Sequence, residues 1–157
     1  MTRYLMSTLV VALVAGGIAS ADISSRNVIA AFRGQLVISK AELSEGKTDK
    51  ETIAKIKTEK LSELKGEIAD DVTRWTFYYT AFLTKTGSSS LKMEFYKDGG
   101  KQLSADKRLD GIDPKSGVLT GQITIDEDEG LSRGKTYAIK LIASGDVVVA
   151  QATLVMK

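Results

Sequence analysis

Neither cysteine nor histidine occurs anywhere in the 157-residue sequence. Without a sulfhydryl there is no disulfide, no thiolate nucleophile, no thiolate metal site and no lipoprotein anchor. Without an imidazole there is no Ser-His-Asp or Cys-His catalysis, no histidine metal site and no side chain that ordinarily titrates near neutral pH. Proline occurs once, at Pro114, and aromatic residues make up only 6% of the chain, so the few aromatic positions stand out. Neither sign of charge dominates. The net charge is +2 and the signs are interspersed, without the clustered basic face that nucleic acid requires.

Long apolar runs are also missing, except at the start. Met1-Thr2-Arg3-Tyr4 carries a positive charge, Leu5 to about Ile18 is apolar, and Ala19-Ser20-Ala21 is a small-x-small site. These are the three parts of a secretory signal peptide, predicted over residues 1–21 with cleavage after Ala21. The apolar run is short for a membrane-spanning helix, which needs roughly 20 residues. Removing 21 residues from 157 leaves a mature chain of 136, from Asp22, with no membrane span and a net charge of +1. The expectation is an exported protein, periplasmic or extracellular. Residues 22–157 are long enough for one domain that buries a core without staples.

The most aromatic stretch is Trp75–Leu83. With period two, Trp75, Phe77, Tyr79, Ala81 and Leu83 share one face and predict a core-facing strand; Thr76, Tyr78, Thr80 and Phe82 share the other. Alternation also predicts strands over Asn27–Leu43, Leu91–Tyr96, about Gln102–Leu109, Val118–Asp126, Ala138–Ile142 and Val147–Met156. One helix is predicted, over about 49–65. Thr48-Asp49-Lys50-Glu51 has capping-box spacing, Ile53, Ala54, Ile56, Leu61 and Leu64 form a loose stripe, and Gly66 stands at a C-cap position.

Two hairpins follow from register. Folding Trp75–Leu83 onto Leu91–Tyr96 sets Leu83, Ala81 and Tyr79 opposite Leu91, Met93 and Phe95 on the core face. Tyr78 then meets Tyr96, and Phe82 meets Lys92, on the outer face. A tight turn at Ser144-Gly145 sets Leu141 opposite Val148, Ile139 opposite Ala150 and Tyr137 opposite Ala152.

Leu131, Gly134 and Tyr137 have the L-x-x-G-x-x-Y spacing of the tyrosine corner. Over roughly Val72–Lys157 the chain resembles fibronectin type III and other immunoglobulin-like sandwiches, in which this corner opens the penultimate strand. It departs from them in lacking a proline before Gly134 and in its Asn27–Gly66 addition. The resemblance implies a mainly β, antiparallel immunoglobulin-like sandwich of about seven strands with one added amphipathic helix. It also implies a tyrosine hydroxyl bonded to backbone a few residues upstream. It implies no activity, since such domains bind, space and scaffold in unrelated settings.

Three constellations are candidate sites. Tyr78, Phe82 and Tyr96 on one outer face would make an aromatic platform for a glycan or protein, or a second core layer beneath the helix. The helix is the expected occupant. Asp126 and Asp128, with Asp110 and Asp113, could supply oxygens to calcium, but their spacing is not that of an EF-hand, and a solvated turn that keeps strand ends soluble is the expected reading. No pair of carboxylates is singled out for glycosidase work. The functional expectation is a non-enzymatic exported module, without a cofactor, that binds an envelope or extracellular protein or serves a structural role. A carbohydrate-binding module and a calcium-dependent module are the alternatives.

Overall fold

The computed structural model describes residues 19–20 and 23–157. Apart from Ala19–Ser20, the expected leader lies outside the described residues. The elements in order are β1 (Ala19–Ser20), α1 (Arg26–Phe32), β2 (Leu36–Ser39), α2 (Asp49–Glu59), β3 (Glu63–Leu64), β4 (Glu67–Ala69), β5 (Val72–Phe82), β6 (Ser90–Lys97), β7 (Gln102–Asp110), β8 (Val118–Asp126), a 3-10 turn (Glu127–Glu129), β9 (Lys135–Ala143) and β10 (Val147–Met156). They form two five-stranded sheets. The first runs β1-β8-β5-β2, with β4 folded back on β5; the second runs β3-β10-β9-β6-β7. All named pairings are antiparallel except β3 with β10. Among the described residues no helix is long and apolar enough to cross a membrane.

The inward faces of the two sheets build one core. From β5 come Trp75, Phe77, Tyr79 and Ala81, followed by Leu83 just past its end; across from them lie Met93 and Phe95 of β6 and Ile139 and Leu141 of β9. β5 is the centre of the first sheet, paired over Arg74–Phe82 with β8 and over Tyr78–Ala81 with β2. Its N-terminal end locks the end of the chain in place. The Trp75 indole N–H and the Gly66 N–H both donate to the Lys157 main-chain oxygen, at 3.1 and 2.6 Å. Gly66 lies so close that a Cβ there would meet Thr73 Cγ2 at 2.4 Å and Trp75 Nε1 at 2.8 Å. Its glycine is required by this close approach and not by a helix cap.

The predicted β5–β6 hairpin does not form. β6 pairs with β7 and β9, and the chain crosses between sheets after Leu83. The inward residues of two strands that face each other across a sandwich alternate just as those of a hairpin do, so side-chain pattern satisfied both arrangements. The terminal hairpin is real, but its register differs by two: Leu141 meets Ala150, Ile139 meets Ala152 and Tyr137 meets Leu154. One residue of the difference comes from a longer turn, which pairs Val148 with Ile142, and the other from a bulge between Val148 and Ala150 that buries Val149 while Val148 stays exposed.

Two helices form where one was expected. Residues 26–32 are helix and not strand, because Val28 and Phe32 stand four apart and bury one face. The residues leading into α1 are held from a distance: Glu45 Oε1 accepts from the Ser24 and Ser25 N–H groups at 2.5 and 3.1 Å, which holds the Glu45 carboxyl below its ordinary pKa. The start of α2 is as read. Thr48 Oγ1 accepts from the Glu51 N–H, and Glu51 Oε2 accepts from the Lys47 N–H. It stops at Glu59, however. Lys60 turns extended, the Leu61 N–H bonds to the Ile38 carbonyl, and Leu64 enters the main core through β3.

Both helices lie over one end of the outer face of the first sheet. There Val28, Phe32, Ile56 and Phe82 share a second apolar cluster with Val37 and Val118. Phe32 and Phe82 stack with ring centroids 5.2 Å apart.

Candidate functional site

The three aromatic rings do not make a platform. Phe82 is fully buried beneath α1 and α2. Tyr78 is half-buried on the same outer face, between Ser39 and Gln122. Tyr96 belongs to the other sheet, where it neighbours Leu103 and Ala138. The Tyr96 hydroxyl donates to Glu94 Oε2 at 2.5 Å, a bond that raises its pKa, and Lys140 Nζ sits 4.6 Å from its ring centroid. The three were grouped through the β5–β6 hairpin, and they separate with it.

The four aspartates separate as well. Asp113 precedes β8 and Asp126 ends it, so the nine-residue strand holds them roughly 25 Å or more apart. Asp126 receives a two-pronged contact from Arg74, at 2.6 and 2.8 Å, which holds its carboxyl below the usual range, and it joins a capping box with Glu129. Asp113 accepts from the Lys115 N–H in the β7–β8 turn, Asp110 pairs with Arg108, and Asp128 is exposed. Among the described residues no group of three or more acidic side chains is arranged to hold a metal ion.

The corner residues do meet. The Ser132 N–H donates to the Tyr137 hydroxyl at 2.9 Å, and Tyr137 and Leu131 are buried. Gly134 takes φ +73, and its N–H donates to the Met156 carbonyl at 2.6 Å. This ties the crossing between sheets to the last strand.

Outside these residues a cleft of about 400 Å³ opens at one end of the sandwich. It lies between the β5–β6 loop, Lys85–Ser90, and the β9–β10 turn at Ala143, Ser144 and Val147. The loop is fixed on two sides. Thr84 donates through N–H and Oγ1 to the Val149 carbonyl at 2.9 and 3.3 Å, so the β10 bulge is its anchor. The Gly87 N–H donates to the Pro114 carbonyl at 2.7 Å, and the Ile112 N–H to the Ser89 carbonyl at 3.1 Å, which joins the β7–β8 loop to the same end. The walls carry the hydroxyls of Thr86, Ser88, Ser89, Ser90 and Ser144 beside Lys85. A second hollow of about 250 Å³ on the other side of the turn adds Lys92 and Arg108. Hydroxyls and cations around a shallow recess suit a polar, hydrogen-bonding partner surface. The sequence signal for this site was a run of small polar residues, Gly87-Ser88-Ser89-Ser90, legible only as a turn.

No protein-family model matches the chain, and no curated protein matches it.

Proposed function

We propose that the chain is an exported, non-enzymatic immunoglobulin-like sandwich that binds another envelope or extracellular protein through the loop end beside β10. The fold supports the finer class. β5 and β8 lie in one sheet and β7-β6-β9-β10 in the other, β9 and β10 close the chain as a hairpin, and the tyrosine-corner bond opens β9. The lack of cysteine and histidine removes the commonest nucleophile–base pairs. The observation that carries the proposal is the cleft. The β5–β6 loop, held by backbone hydrogen bonds to β10 and to the β7–β8 loop, and the β9–β10 turn form one preformed recess lined with hydroxyls. Loops on a rigid sandwich are where such domains place recognition.

The test is affinity capture from the envelope fraction with the tagged chain. A partner recovered by the wild type should be lost with the Ser89→Arg and Ser144→Arg variants and retained with Thr153→Arg, on the open face of the second sheet. All three should keep the wild-type melting temperature. Retention by the first two variants, or equal loss in all three, would refute loop-end binding.

A further inference from the structure

β8 is the one long strand whose outer edge the described elements leave nearly open. The edge of β7 carries Asp106, Lys107, Arg108 and Asp110 and has a bulge opposite Phe95 and Tyr96. It is also crossed at Ser104, where a Cβ on Gly130 would come within 2.0 Å of the Ser104 carbonyl oxygen. The edge of β10 is occupied by Ser62, Thr84 and Gly34, each bonded to its backbone. β2 and β4 are four and three residues long. These are the usual protections of a sheet edge: charge, bulge, cover and shortness. β8 has none of them. From Val118 to Ile125 it is uncharged, lacks proline and pairs with β5 without a bulge. Its only cover is β1, two residues paired antiparallel with Leu119 and Thr120.

We propose that when the leader is cut after Ala21, and β1 leaves with it, the β8 edge pairs with the β8 edge of a second copy. This rests on the exported reading. The pairing is antiparallel, as for β1, about a two-fold axis at Gln122. An added strand must alternate apolar residues toward the core with uncharged polar ones on the other face, and β8 itself has that pattern in Leu119, Ile123 and Ile125 against buried Thr120 and exposed Gln122 and Thr124. Gln122 is the midpoint of Val118–Asp126, so this axis overlaps the whole strand. It sets Thr120 opposite Thr124 and Asp126 opposite Val118. No like charges meet, and Asp126 keeps its own Arg74. The first sheet then continues across the dimer.

The test expresses the full chain with its leader, reads the N terminus of the product by mass spectrometry, and measures its mass by sedimentation. The expected product starts at Asp22 and is a dimer. Gln122 is exposed, so Gln122→Lys and Gln122→Glu should each leave melting unchanged yet weaken self-association by about tenfold or more, and mixing the two variants should restore a dimer. A chain cleaved after Ala21 that stays monomeric, or a dimer indifferent to both substitutions, overturns the pairing and leaves export standing. A product that retains Ala19 and Ser20 overturns both.

Discussion

Replacing Tyr79 by phenylalanine should stabilise the domain, although the side chain is 1% exposed and at the centre of the core. Among the described residues its hydroxyl has no hydrogen-bond partner. The ring lies against Gly121, directly across from it on β8, where a Cβ would come within 2.7 Å of the hydroxyl oxygen. A buried hydroxyl left unpaired costs about 1–3 kcal/mol, and removing one oxygen opens little space. The expected gain for Tyr79→Phe is about 1 kcal/mol, a rise in Tm of roughly 3–5 °C for a chain of this size. Tyr137 supplies the contrast. Its hydroxyl accepts from the Ser132 N–H, so Tyr137→Phe should cost about 1–2 kcal/mol.

The assay is urea unfolding followed by the fluorescence of Trp75, the sole and fully buried tryptophan. pH adds a second readout. Burial pushes the Tyr79 pKa from 10.0 up to about 12, so the folded state favours the neutral phenol. Its contribution is complete below pH 10 and is lost as pH rises through about 12, and Tyr79→Phe should flatten that alkaline limb. A loss of more than about 1 kcal/mol in Tyr79→Phe would mean that the hydroxyl is satisfied, and would refute the reasoning.

Three further outcomes follow from close contacts and depressed carboxyls. Gly121→Ala should cost about 1–3 kcal/mol, because the new methyl meets Tyr79 Cε1 and Cζ at 2.8 Å even when the hydroxyl is removed; the double substitution with Tyr79→Phe should therefore stay destabilised in the same melts. Gly66→Ala should cost a similar amount and raise hydrogen exchange at the amide of residue 66, since the clash with Thr73 and Trp75 breaks the bond from that N–H to the Lys157 oxygen. Glu45, Asp49 and Asp126 all have folded pKa values below their ordinary 4.5, 3.8 and 3.8. Their contributions are complete above those values and are lost as pH falls through the lowered ones, so melting temperature should drop below about pH 4. Glu45→Gln should remove part of that drop and speed hydrogen exchange in α1.

Legibility followed the range of the signal. β8 was readable to the residue because its alternation is uninterrupted and loops bound it, and the bounds of β10 were readable from the Ser144-Gly145 turn and the apolar run to Met156. The tyrosine corner was readable because its three residues lie within seven positions and its bond is local. α1 was hidden because Phe32 serves both patterns: it ends the i, i+4 pair with Val28 and begins the alternation with Leu36 and Ile38. Sheet membership of β5 and β6 was hidden because inward faces look alike whether strands are neighbours or face each other. The grouping of Tyr78, Phe82 and Tyr96 failed for that reason, although the expectation that helix covers Phe82 held through Ile56. The bulge at Val149 leaves no mark in an all-valine run, and the cleft depends on that bulge to anchor Thr84. A site that brings residues 85–90 beside residues 143–147, with the loop held by backbone hydrogen bonds to Pro114 and Val149, has no motif to read.

Loop-end recognition is tested most directly by a photo-cross-linking residue placed at Ser89, beside the cleft, and separately at Thr153, on the open face of the second sheet, in cells that export the full chain. The expected result is one discrete cross-linked species from Ser89 and none from Thr153. Cross-linking from Thr153 alone, or the same species from both positions, would contradict it.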